Sequence, residues 1–229
     1  PRLVPALVLP LAGGLAAVEY GVLPKNRRNE RNRALRRGCT HGVTGDPAVC
    51  AEYYPIYLAA ASRWGERPVP LALLQGLLRD GGGAVFLSWV RREGRLIGAH
   101  LCFHHGDEVV AWNGTTDPAH HDVFPATVLV WTDVVEACAR GAARLDLGGS
   151  AGVGGVARFK ELLGAAPESR LFCQWTAAPY GWWRRRREAR RPVAGRRPDG
   201  VGAPGAAGAP GSDGGPGDTG GPAREGDGA

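Results

Sequence analysis

The sequence predicts an α+β fold in which flanking helices cover a mixed, mostly antiparallel sheet, and three observations lead there. Three helix-period segments follow the apolar opening, and a run of strand-like segments broken by two short turns fills the middle of the chain. Helix, strand, helix and strand then follow in short order.

The elements can be justified one by one. PKNRRNERNRALRRG opens on Pro24, holds no breaker and ends on Gly38, so it is a basic helix. DPAVCAEYYPIYLAAASRWG follows Asp46, a suitable N-cap, and runs to Gly65 as a second helix with an interruption expected at Pro55. PLALLQGLLRDGGG is a shorter third helix ended by glycines. The period then changes: Ala84–Arg91, Arg95–His104 and Glu108–Trp112 are expected as strands of an antiparallel meander joined by REG and HGD turns. ATVLVWTDVVEACARG carries apolar residues at helical spacing, including Val128, Trp131, Val134 and Val135, and stops at Gly141. The strand ARLDLG, a glycine-rich turn, the short helix VARFKELLG and the strand SRLFCQW complete the folded part.

Composition bounds what surrounds this core. The formal charge of +6 is local: the arginine-dense run Arg184–Arg197 and the seven basic residues of Lys25–Arg37 account for it. Residues 179–197 are expected as a basic segment, and residues 198–229, rich in Gly, Pro and Ala, as a disordered tail. The apolar opening, residues 1–23, contains Pro5, Pro10, Gly13, Gly14 and Glu19 and lacks a basic leader, which argues against a membrane span or signal segment. It is expected as the remnant of a preceding half-domain in a chain that starts on proline and has no methionine. The scattered, odd set of five cysteines is expected as reduced thiols in a cytoplasmic protein.

The stretch RLDLGGSAGVGGVARFKELLGAA concentrates the functional question, with five glycines between Gly148 and Gly155. A dinucleotide fingerprint needs a full crossover helix and an acidic residue closing the next strand, but here the helix is about two turns long and the strand ends in tryptophan. A phosphate-binding P-loop is excluded too, because Lys160 follows Phe159 inside the helix with no Ser or Thr after it. Ser150 lacks the Gly-x-Ser-x-Gly elbow of a nucleophile. His100 and His104 share a strand face without a carboxylate at ligand spacing, so no metal is expected.

The ordered set of meander, helix, LDLGGS, turn and FKELLGA resembles the C-terminal half of the Fem-type peptidyltransferases and the related GNAT-fold acetyltransferases. Asp146, Gly148, Ser150, Phe159, Lys160 and Gly164 carry the likeness, together with the strand pair around Gly94, Gly98 and Gly106 and the basic helix with Arg27, Arg28, Arg31 and Ala34. The resemblance implies a GNAT-like acyltransferase domain over residues 24–178. It implies Lys160 and Asp146 as catalytic residues, and Trp112, Asn113, Phe159, Ser150, Arg27 and Arg28 as substrate contacts. The implied donor is acetyl-CoA, another acyl-CoA or an aminoacyl-tRNA, and the acceptor is an amine, with a lipid-linked cell-wall (peptidoglycan) precursor favoured. A cytoplasmic, membrane-peripheral location at an anionic surface fits that chemistry. Two alternatives stay open from the residues: a coenzyme A-dependent N-acetyltransferase on a small molecule or polysaccharide, and a non-catalytic basic module for RNA or anionic lipid.

Overall fold

In the computed structural model the described residues are 2–150 and 154–173, with Trp182 and Arg186. The expected basic segment, apart from those two positions, and the tail lie outside the described residues. The chain runs β1 (Arg2–Pro10), α1 (Gly14–Ala17), α2 (Lys25–Arg36), β2 (Cys39–Thr44), α3 (Pro47–Trp64) and α4 (Leu71–Asp80). It continues through β3 (Val85–Arg92), β4 (Arg95–His105), β5 (Glu108–Thr116), α5 (Pro125–Ala139), β6 (Arg144–Asp146), α6 (Gly154–Glu161) and β7 (Ala166–Phe172).

The strands form one sheet in the order β2-β3-β4-β5-β6-β1-β7. Every pairing is antiparallel except that of β5 with β6. Two helix layers sandwich it. On one face Tyr53 of α3 and Leu74 and Leu78 of α4 pack on Leu87 and Leu101. On the other, Trp131 and Val134 of α5 and Phe159 of α6 pack with Phe86 and Cys102, while Ala34 of α2 meets Val128, Leu129 and Ile97. Burying such side chains at about 25 cal/mol per Å² is what holds helices of modest intrinsic propensity in place.

Local chemistry explains the boundaries. Asp46 accepts the Ala48 N–H at 2.8 Å and so caps α3, with Pro47 at its first position and Gly65 in the left-handed region at its end. The interruption expected at Pro55 does not occur: α3 continues through it. Pro55 is exposed, so the carbonyl that loses its partner can turn to water.

Two strands go beyond the sequence reading. The stretch expected as an apolar remnant contributes β1, whose Ala6–Leu9 are buried without alternation because β1 lies inside the sheet, between β6 and β7. CTHGVT forms the edge strand β2 against β3. The third strand of the meander also runs on to Thr116, past the expected end at Trp112.

Among the described residues no helix is long and apolar enough to cross a membrane. All five cysteines are free, and Cys39, Cys50 and Cys102 are buried.

Candidate active site

The site begins with a divergence of two strands. β5 and β6 pair in parallel only at Glu108–Val110 and Arg144–Asp146. Beyond Asp146 the chain keeps company with β1 instead: Leu147 N–H donates to Leu7 O at 2.9 Å, and Leu7 N–H donates to Gly148 O at 3.1 Å. At the point of divergence β5 carries a bulge, with Leu101 opposite Asn113, Cys102 opposite Ala111 and Trp112 as the extra residue. The consequence is a wedge between β5 and the 147–149 segment. From Trp112 onward β5 pairs with β4 alone, so half of its main-chain groups face the wedge.

The two predicted residues at the bulge serve its geometry. The Trp112 ring meets Phe103 edge-on, with centroids 5.6 Å apart. Asn113 is buried and accepts the Tyr53 hydroxyl at 3.1 Å, which ties the bulge to α3.

Asp146 and Lys160 shape the opposite wall. Asp146 Oδ1 accepts the Gly148 N–H at 2.6 Å, and its Oδ2 lies 3.7 Å from Arg170 Nε. Gly148 adopts φ +72, so a left-handed turn follows the capped aspartate. Lys160, reaching back from α6, is only 4% exposed. Its Nζ donates to Leu147 O at 2.5 Å, Gly149 O at 2.8 Å and Gly148 O at 3.3 Å. Three protons meet three carbonyls, so in this structure the lysine acts on the site through the loop it holds. Burial lowers its pKa from 10.5 to about 8, opposed by the Asp146 charge. Ser150 follows this loop, half-buried.

A cleft of about 210 Å³ lies at the C-terminal end of β5. Thr116, the first turn of α5 and one face of α6 line it. Two of the predicted residues meet there: the Arg27 guanidinium lies 5.6 Å from the centre of the Phe159 ring. Arg27 is held by Glu30 at 2.8 and 2.9 Å, and Glu30 in turn accepts the Thr127 hydroxyl at 2.8 Å. Arg28, predicted beside it, does not line the cleft. Its Nη1 donates to Glu19 O at 2.7 Å and Leu23 O at 2.9 Å and so closes the turn before α2.

Several contributors were not legible in the sequence. Arg158, its side chain 69% exposed, supplies a second cation, and His121 lines the cleft with a buried Nε2 that has no hydrogen-bond partner. Phe124, with φ +51, caps α5 from the left-handed region, a strained conformation for a bulky residue. The proximity of Arg158 to the Phe-Lys pair was the one available signal. Behind the wedge, His100 Nδ1 lies 2.6 Å from Asp133 Oδ2 of α5, and Cys102 Sγ donates to Oδ1 of the same carboxylate at 3.5 Å. Gly114 makes room for this ring, since a Cβ there would lie 1.5 Å from His100 Cδ2. Among the described residues no group of three metal-ligating side chains is present.

Comparison with known proteins agrees with this architecture. The sequence model of the family described as "Acetyltransferase (GNAT) domain" matches residues 23–161. The solved structure of FemX superposes with a TM-score of 0.62 at 12% identity, over 72% of this chain and 59% of that one. The C-terminal domain of a putative lysylphosphatidylglycerol synthetase from Agrobacterium fabrum gives 0.59 at 12% identity, over 74% and 59%. L-PGS from Bacillus licheniformis gives 0.55 at 14% identity, over 83% and 67%. The chain thus spans about three fifths of the length of the first two. No curated protein matches it by sequence.

Proposed function

The chain belongs to the family described as the GNAT acetyltransferase domain, and from that premise we propose that it transfers an aminoacyl group from an aminoacyl-tRNA to an amine. The observation that carries this reading is the wedge beside the β5 bulge, on the same strand whose end, Thr116, lines an arginine- and phenylalanine-bearing cleft at the start of α5. An extended donor can lie along the open edge of β5, hydrogen-bonded to its unpaired main-chain groups. The acyl carbon then sits at the bulge, where main-chain N–H groups can stabilise an oxyanion. The amine attacks the ester carbon, and the tetrahedral adduct expels the ribose oxygen, which leaves with the proton given up by the amine. No covalent enzyme intermediate is needed, and alignment supplies most of the acceleration.

The first turn of α5 favours an RNA end over coenzyme A. A pyrophosphate cradle needs several free N–H groups at a helix start. Here Pro125 has none, and the Thr127 and Val128 N–H groups both turn back to Phe124 O, at 3.1 and 3.2 Å. Recognition therefore falls to side chains: Phe124, half-buried at the cleft, offers an aromatic surface to a base, and the exposed Arg158 offers charge to a phosphodiester, while Arg27, paired with Glu30 and stacked on the buried Phe159, fixes the wall behind them. Lys160 and Asp146 serve as positioning residues for the wall opposite β5. A lipid-linked cell-wall precursor is the acceptor we favour, as the resemblance carried by Asp146, Gly148, Phe159 and Lys160 to the Fem-type peptidyltransferases implies. The free thiols suit the cytoplasmic side of the membrane.

Reversing the exposed charge of Arg158 tests the cleft. R158E is expected to raise the KM for aminoacyl-tRNA roughly tenfold, with kcat within about a factor of two, because a phosphate contact remote from the reacting carbon is lost equally from ground and transition states. Steady-state kinetics at fixed acceptor check this. An unchanged KM removes the cleft from donor binding.

A further inference from the structure

We propose that the segment from Ala12 to Gly21 is a docking surface for an anionic phospholipid bilayer. Residues Ala12–Ala17 are exposed without exception and uncharged, and they include the whole of α1. Leu15 is 36% exposed and Tyr20 73%. Only Val18 turns inward, as the anchor of the segment in the core beside α5.

The backbone is built to project this surface. Gly13 and Gly14, with φ +87 and +78, turn the chain sharply away from the end of β1. Val18–Val22 then form a π-turn, a rare geometry that leaves Tyr20 on the outside. Tyr20 keeps 73% of its surface exposed beside a single cation, Arg28, whereas an interface between water and lipid would accept its ring and the exposed part of Leu15, the phenol hydroxyl staying among the headgroups.

The charge distribution selects the occupant. The Arg28 guanidinium stands 5.4 Å from the centre of the Tyr20 ring, and Lys25 is exposed at the start of α2. The one acid of the segment, Glu19, is held by the Arg31 Nη2 at 2.6 Å. The apolar tip is therefore flanked by net positive charge, which an anionic headgroup layer complements. Alanine and glycine side chains offer a protein partner little shape to grip. The end of the segment is fixed against the turn after α6: Gly164 is packed so closely on Val22 that a Cβ there would lie 2.7 Å from Val22 Cγ1.

Cosedimentation of the full chain with vesicles of phosphatidylglycerol and phosphatidylcholine tests this without reference to transfer. The arginine-dense run Arg184–Arg197 contributes equally to every variant, so the comparison isolates the segment. L15D/Y20D is expected to weaken binding at least about tenfold, and Y20D alone, at a side chain 73% exposed, should weaken it in the same direction with the melting temperature unchanged. L15Q/Y20S, which removes apolarity without adding charge, should fall between wild type and L15D/Y20D. Raising salt to roughly 0.5 M shortens the screening length to a few ångströms, and the wild type should then keep an advantage over every variant. Equal binding by wild type and variants alike, or no binding by the wild type, overturns the proposal. Unchanged vesicle binding with loss of a dimer in the variants would assign the surface to a second copy and overturn it equally.

Discussion

Replacing Lys160 by Met is expected to lower acyl transfer by about two orders of magnitude and to erase a specific pH dependence of stability. The catalytic loss follows from the 147–149 loop. Without the Nζ donors the carbonyls of Leu147, Gly148 and Gly149 lose their common partner, and the wall facing β5 can shift by an ångström. A misplacement of that size costs about a hundredfold in a reaction that depends on alignment.

The pH signature comes from burial, which lowers the pKa from 10.5 to about 8. Between those values the unfolded chain holds a proton that the folded chain has released, so stability rises with pH across the window. The rise attributable to this residue is about 3 kcal/mol at most. The buried thiols act in the opposite sense: burial pushes Cys50 up to about 11 from 9.0 and Cys102 well above 9.0, so each loses stability as pH climbs past 9. The difference between wild type and K160M, measured by urea denaturation at pH 7.5, 9 and 10 under matched conditions, isolates the lysine. A constant difference across those pH values would show that Lys160 is not held as described.

The second large effect is expected at Asp133. Its carboxylate is fully buried and serves both His100 and Cys102. D133A leaves the imidazole N–H facing a void between α5 and β4, and should cost about 3–5 kcal/mol of folding stability. D133N retains an acceptor oxygen of nearly the same shape and should cost less than half as much. Chemical denaturation of both variants at neutral pH separates the outcomes. Equal and small losses would mean that the hydrogen bond contributes little to the core.

Much of the fold was legible because its signals are local. The helix from Pro47 to Trp64 announced itself through Asp46, Pro47 and Gly65, and the meander through short apolar, β-branched and aromatic runs set off by its Glu93-Gly94 and Gly106-Asp107 turns. β1 was not legible, because its apolar run carries Pro5 and Pro10 and its partners β6 and β7 lie more than 130 residues away, with no turn to mark the pairing. The far half of β5 was hidden by Asn-Gly-Thr-Thr, which reads as a loop until the bulge at Trp112 is seen to need it. The site followed the same division. Lys160, Asp146 and Phe159 stood out in one short stretch of sequence, yet the roles they adopt depend on the path of the loop. Arg27 and Phe159 converge from helices far apart in the chain, and His100 and Asp133 meet from a strand and a helix 33 positions apart. No spacing rule links such pairs, because packing of α2, α5 and α6 on one face of the sheet brings them together.

The measurement closest to the central claim is a two-donor transfer assay with the full chain. Labelled aminoacyl-tRNA and labelled acetyl-CoA are offered separately with a lipid-linked peptidoglycan precursor bearing a free amine, and amide formation is followed over time. The expected result is amide from the aminoacyl-tRNA, a rate lowered about a hundredfold in K160M, and no transfer above background from acetyl-CoA. Efficient transfer from acetyl-CoA with none from aminoacyl-tRNA would contradict the reading of the α5 cleft as the seat of an RNA end.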